Sequence, residues 1–220
     1  MKMSAYPETL LHKVQNRLAD MTDYAVSDLK IDPDVFFQLF ATSKYARRIE
    51  AGDKILIYGR SGIELAQDVL LEKTDRTDFS PSRPNMHRTP AYWSGWIIAY
   101  YQWRSEWTFL EIAEALPFST VMQMYKIYHE APEDRFADDA DRIMAEKHPE
   151  TRLKRIRTAY GCSQSELANA SGVGLRSIQL YEQRKKNINH AEAWHLKSLA
   201  QVLGCSIEDL FEPARITSLK

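Results

Sequence analysis

Apolar side chains recur three and four positions apart through most of this chain, the period of helices that bury one face. The last third shows it best. Leu153, Ile156 and Arg157 fall at helical spacing between residues 152 and 160. Ser163 then stands where a helix cap is needed. Glu166, three residues on, completes the reciprocal arrangement in which each side chain accepts from the other's backbone N–H. Leu167 and Ala168 turn inward, while Gln164 stays outside at the first helical position. Gly172 ends that helix, since glycine adopts the left-handed conformation without a Cβ clash. Val173 plugs the corner and Gly174 opens the next helix. Ile178 and Tyr181 face back toward the first helix, beside the alkyl stem of Glu182. Leu175, Arg176, Gln179, Leu180 and Gln183 are left for other faces, and Arg184-Lys185-Lys186 follows as a basic cluster. Asn189 with Glu192 offers another cap before Leu196, Leu199, Ala200 and Leu203, and Gly204 stops that helix. Ser206 with Asp209 caps a short last one carrying Ile207, Leu210 and Phe211. Caps and stops in register with the apolar period predict five short helices over 152–212.

The pattern ahead of residue 150 is also mainly helical. Leu10, Leu11, Val14, Leu18 and Met21 mark an amphipathic helix over 7–21. Asp32-Pro33 starts a second, with Val35, Phe36, Leu39 and Phe40 on its apolar face, running to Glu50 before Gly52. Residues 54–58, with Ile55-Leu56-Ile57, read as the one short strand. Ser61 with Glu64 caps a helix through Leu71. That strand, Gly59-Arg60-Ser61-Gly62 and the helix imitate a phosphate cradle, but the P-loop lysine and glycine spacing are absent, so the turn is read as a cap. Residues 73–90, with Pro81, Pro84 and Pro90, form an irregular loop.

Next comes the densest aromatic stretch: Trp93, Trp96, Ile97, Tyr100 and Trp103 at helical spacing, then Trp107. Two readings stand. It is the core of an N-terminal domain, or part of it is a partner or dimer surface, because aromatics supply interface hot spots. Thr108 with Glu111 caps a further helix and Val121–His129 forms another. The last pair imitates a helix-turn-helix, but its second helix offers one lysine and one glutamine, so it reads as core or protein contact. Residues 131–150 hold seven acids and three bases. The chain thus divides into a mostly helical, acidic, aromatic-rich domain at 1–147, a second domain at 148–213 and a tail at 214–220.

Composition narrows the class. At 220 residues, 44% hydrophobic and 27% charged, this is a soluble globular chain with room for two domains. No apolar run approaches the length of a membrane span, and the first residues lack the apolar core of a signal peptide, so a cytoplasmic location away from membranes is expected. The net charge of −1 hides an asymmetry. From Thr151 onward 11 Lys+Arg stand against 6 Asp+Glu; up to Glu150 the counts are 18 and 24. The basic part suits phosphate and the acidic part suits protein. Cys162 and Cys205 read as two buried thiols rather than a disulfide or metal pair. His129-Glu130 lacks the second histidine of a zinc-protease helix. No metal site or cofactor is expected. Glu64, His87, His129 and Glu130 are available for acid–base work, but no spacing assembles them, so the chain is not expected to be an enzyme.

Residues 152–212 closely resemble the Xre/Cro family of helix-turn-helix regulators, the lambda-repressor-like fold. Ser163-Gln164-x-x-Leu167-Ala168 and Ser177-Ile178-x-x-Tyr181-Glu182 carry the resemblance. It implies that 175–183 is a recognition helix inserted in the major groove of a double-stranded DNA operator. Gln164 would touch phosphate and brace that helix. Leu175, Arg176 and Gln179 would look into the groove, with Ser177 on the DNA-facing surface and Leu180 at the groove's edge. Gln183 and Arg184 would sit near phosphates on the far side, with Lys185 and Lys186. Arg176 can donate two hydrogen bonds to guanine, though it can also bind phosphate or an acid of its own fold; Gln179 can read adenine. Leu175 departs from the phage repressors, which often place glutamine there, and can only pack on a thymine methyl or a sugar.

Three functions fit these residues. The first is a sequence-specific transcription regulator, a repressor that acts on its own gene among others, as a homodimer on a pseudo-palindrome. The second is an antitoxin whose N-terminal domain neutralises a toxin protein while the other domain represses the operon. Ile63-Glu64-Leu65-Ala66 and Ala91-Tyr92-Trp93-x-Gly95-Trp96 resemble an N-terminal domain of regulators from low-GC bacteria, itself without assigned function. The third is an enzyme that the DNA-binding module merely targets, and it has the least support.

Overall fold

The computed structural model describes residues 5–82 and 89–212. Pro84 and His87 of the irregular loop, and the tail 214–220, lie outside the described residues. Those residues form helices and loops, with no strand among them. The chain divides into two compact units, Met1–Met144 and Ala145–Lys220.

The N-terminal unit is built around α1 (Glu8–Asp23), which continues into one π-helical turn, Tyr24–Asp28. Leu10, Val14, Leu18 and Met21 are buried along it. Its neighbours α5 (Gly62–Lys73) and α6 (Pro90–Ser105) come close because each presents a glycine. A Cβ on Gly62 would sit 2.6 Å from the Arg17 carbonyl oxygen, and one on Gly95 2.5 Å from that of Leu18. Thr22 Oγ1 lies 2.9 Å from the Ala91 carbonyl oxygen and fastens α1 to the start of α6.

Between α1 and α5 the expected elements change in two places. The single helix predicted from Pro33 to Glu50 is two, α2 (Pro33–Ala41) and α3 (Lys44–Glu50). They are divided at buried Ser43, whose hydroxyl caps α3 by accepting from Ala46 N. The predicted strand at 54–58 is a helix, α4 (Lys54–Gly59). Asp53 decides this: its carboxylate accepts from Ile55 N at 2.9 Å and Leu56 N at 3.2 Å, an N-cap that sets helical geometry from the first residue.

α7 (Phe109–Ala115) and α8 (Phe118–Tyr128) close one side, where Phe40 meets Phe109 and Phe37 meets Phe118 with ring centroids 5.0 and 5.1 Å apart. Capping boxes start α5 at Ser61/Glu64 and α7 at Thr108/Glu111. α9 (Glu133–Lys147) lies along α6 and takes up its polar groups. Trp96 Nε1 donates to Glu133, Tyr100 to Asp134 and Tyr101 to Asp141. Arg104, with a side chain 1% exposed, pairs with Asp134 and Asp138. Burial pushes Asp141 above the usual carboxylate range, against the opposing pull of Tyr101 and Arg104.

The aromatic stretch offered as a partner surface is therefore occupied within this unit. Trp93 and Trp107 are buried. Trp93 packs on Tyr125 and Phe136, Trp96 on His12, and Tyr100 on Trp103. Trp103 Nε1 donates to the Tyr6 carbonyl. Trp96, Tyr100 and Trp103 are half-buried, and α9 and the N-terminal segment take up their polar atoms.

The C-terminal unit holds α10 (Arg152–Tyr160), α11 (Gln164–Ser171), α12 (Leu175–Glu182) and α13 (Ala193–Leu203). The predicted fifth helix is shorter, a 3-10 turn at Glu208–Leu210, with a second such turn at Ile188–His190. Leu153, Leu167, Val173, Ile178, Tyr181, Leu196, Leu199, Leu203 and Leu210 form one buried core. Glycine is required at the ends of α11 and α13, where Gly172 and Gly204 stand at φ 72° and 66°. Asn189 does not cap α13. Its amide instead donates to the Glu212 carbonyl and accepts from Glu212 N, which joins the loop after α12 to the segment that follows the Glu208–Leu210 turn.

Candidate nucleic-acid interface

Two helices meet through a tight corner at Gly172-Val173-Gly174. α11 starts on Ser163, whose hydroxyl accepts from Glu166 N while Glu166 accepts from Ser163 N at 2.7 Å. The Ser163 backbone N–H, and after it the Ser163 hydroxyl, hold the Glu166 carboxyl below its usual range. α12 starts on Gly174, so no side chain covers its first N–H groups. Ile178 and Tyr181 anchor its inner face, with Tyr181 OH 3.3 Å from His195 Nδ1 on α13.

A polar brace locks α12 from behind. Glu182, its side chain 2% exposed, accepts from Arg157 Nε at 2.6 Å, Arg157 Nη2 at 3.0 Å and Gln164 Nε2 at 2.8 Å. Arg157 also donates to the Cys162 carbonyl at 2.7 Å. The paired carboxylate pushes the Arg157 guanidinium above its usual value. Three helices are thus tied at one point, and Gln164 is placed at the start of α11 against the end of α12.

The outer face of α12 is what remains. Leu175 is 38% exposed, Arg176 and Gln183 are exposed, and Ser177, Gln179 and Leu180 are half-buried. No side-chain hydrogen bond or ion pair to another described residue engages Arg176 or Gln179. Lys185 and Lys186 are exposed just beyond, with Lys186 Nζ 5.3 Å from the centre of the Tyr181 ring.

Residues 153–210 match the helix-turn-helix family model HTH_3. This is the Xre, or lambda-repressor-like, kind of module. It supports a DNA-binding transcription regulator. No curated protein and no solved structure matches the chain. The expected resemblance of the N-terminal domain to a regulator domain has no support from these comparisons. Among the described residues no helix is long and apolar enough to cross a membrane.

Arg184 departs from the phosphate contact expected of it. It adopts φ 54°, and its guanidinium donates to the carbonyls of Pro149 at 2.7 Å and Glu150 at 3.0 Å. It also approaches the Glu212 carboxylate at 3.4 Å. The same carboxylate accepts from Arg152 N. Arg184 therefore latches the start of the helix-turn-helix module to the loop behind α12, with its donors turned inward. This separates it from its neighbour in a salt titration of DNA binding. Lys185→Ala should make the dependence of log affinity on log salt shallower by about 0.9, one phosphate's worth of counterion release. Arg184→Ala should weaken binding through misplacement of the loop and leave the slope unchanged. A slope that falls equally in both variants would return Arg184 to the phosphates.

Proposed function

We propose that this chain is a sequence-specific transcription regulator that reads operator DNA through α12 and represses, its own promoter being the first to test. One observation carries the reading. The outward face of α12 presents an apolar, a cationic and an amide side chain, Leu175, Arg176 and Gln179, uncommitted within the fold and held rigid by the Glu182 brace behind them. Groups that must reach base edges need that combination of free donors and fixed backbone. Two copies on a pseudo-palindrome supply the base pairs one recognition helix cannot read alone. The antitoxin reading places toxin binding on the acidic, aromatic-rich N-terminal domain; of its candidate aromatics Trp93 and Trp107 are buried and Trp96, Tyr100 and Trp103 half-buried, and no observation singles that reading out.

The test is a binding assay of the purified chain on duplexes spanning the DNA upstream of its gene, followed by single-base variants of the bound site. Arg176→Ala is expected to weaken the specific complex roughly 5- to 150-fold, the size of one bidentate base contact, and to relax preference at one guanine. Equal weakening on all sequences would mean that Arg176 holds phosphate instead. No sequence preference in the unaltered protein would remove the regulator reading.

A further inference from the structure

We infer that α12 reads the 5-methyl groups of pyrimidines through Leu175 and Leu180, so that the operator must carry thymine methyls where these two side chains fall. The module's own use of aliphatic side chains sets these two apart. From Leu153 to Leu210 every leucine, isoleucine and valine lies in the buried core or packs against it, except Leu175 and Leu180. Both stand on the one helix proposed to enter DNA. Leu175 is 38% exposed, and Leu180 is half-buried without joining the core.

Their positions pair them with the polar side chains of the same helix. Leu175 and Gln179 are four residues apart, and so are Arg176 and Leu180. Four apart on a helix means side by side, so each leucine has one hydrogen-bonding neighbour. The two leucines are about 7.5 Å apart along the axis, at 1.5 Å per residue, far enough to meet different base pairs.

The chemistry of the groove selects what they meet. Base edges there present hydrogen-bond donors and acceptors and one apolar group, the 5-methyl of thymine. A leucine side chain makes no hydrogen bond, so among base edges it gains only by covering that methyl. Cytosine has hydrogen at the same place, and a methyl added to it would be read in the same way. Contact with sugar, the other apolar surface, would be the same at every nucleotide.

Entry of α12 into the major groove, as proposed above, is the premise, and the experiment separates its failure from that of the methyl contact. Duplexes are selected from a randomised pool by the purified full chain. The bound sequence is then remade with single thymines replaced by uracil, which removes the methyl alone. Uracil at the thymine beneath Leu175 or Leu180 should weaken binding about 4-fold, the scale of one buried methyl group. With that pair exchanged for cytosine·guanine, 5-methylcytosine should bind about 4-fold tighter than cytosine. Leu175→Ala and Leu180→Ala should each abolish the uracil effect at one position and keep it at the other. Leu175→Met, which keeps an apolar tip, should keep the preference. Salt dependence should match the unaltered protein in all three variants, because no charge is removed. Alanine favours helix and neither leucine serves the core, so helical circular dichroism should be unchanged. Uracil tolerated at every position of a selected sequence overturns the methyl contact and leaves the regulator reading standing. A uracil effect that persists in both alanine variants also overturns it, since the methyl would then act through DNA shape. A pool that yields no preferred sequence overturns both.

Discussion

Glu182→Ala is expected to destabilise the helix-turn-helix module by about 3–5 kcal/mol, the cost of stranding one member of a buried ion pair. The geometry puts Glu182 at the upper end. One carboxylate takes three hydrogen bonds, two from Arg157 and one from Gln164, with almost no solvent contact. Removing it leaves Arg157 Nε and Nη2 without their acceptor in a guanidinium only 12% exposed. A module of this size has total stability on the order of 5 kcal/mol, so the variant would be left at the margin of folding, with α12 opening far more often than in the unaltered protein. Hydrogen exchange reads this directly. Amides of α10, α11 and α12 should lose protection, with those of α1 and α6 as the internal reference. Replacing both partners, Arg157→Met with Glu182→Leu, should restore much of the loss, because an apolar pair of similar volume avoids the desolvation cost of the charges. Full protection in the Glu182→Ala protein would mean that the brace is not what holds α12. Loss in the double variant equal to that in the single one would mean that packing, not charge, is at stake.

What could be read from the sequence was whatever is decided within four residues. The Ser163/Glu166 box, its counterparts at Ser61/Glu64 and Thr108/Glu111, and the stops at Gly172 and Gly204 depend on short spacings, and the helices they bound follow from them. The outer residues of α12 were legible for the same reason, since a helix with Ile178 and Tyr181 inward must turn Arg176 and Gln183 outward. The rest was decided at long range. Five residues holding Ile55-Leu56-Ile57 have no period to separate strand from helix, and Asp53 as a cap was the available signal. Arg184 stands in a basic run and reads as a phosphate ligand. Its role is set by carbonyls at Pro149 and Glu150 and by Glu212, more than twenty residues away on either side. The aromatic helix is similar. Periodicity marks Trp96 and Tyr100 as one face, but only the fold brings Glu133 and Asp134 to accept from them. Ile55 as a surface residue was hidden by the strand reading itself, because a strand would have placed its apolar run in a sheet.

Gly95→Val is expected to destabilise the N-terminal unit by about 3 kcal/mol, the upper range for overpacking a filled contact. Ordinarily a glycine inside a helix is a weakness, and replacing it with alanine should gain about 1 kcal/mol. At Gly95 the sign reverses. A Cβ there would overlap Thr22 Oγ1 and stand 2.5 Å from the Leu18 carbonyl oxygen and 2.8 Å from its carbon, and two of these three atoms are backbone of α1. A flexible side chain could move aside, but a helix backbone cannot without separating α1 from α6. That separation would also pull Thr22 away from the Ala91 carbonyl and loosen the buried rows on both helices. The melting temperature should fall by roughly 10 °C, given the usual shift of a few degrees per kcal/mol in chains of this length. Gly95→Ala should fall less, its helix preference offsetting part of the overlap. Gly59→Ala provides the contrast, with no atom within 4 Å of the added carbon, and should be neutral or slightly stabilising. If Gly95→Val melts with the unaltered protein, the two helices are not in the close contact that makes α1 the centre of this unit.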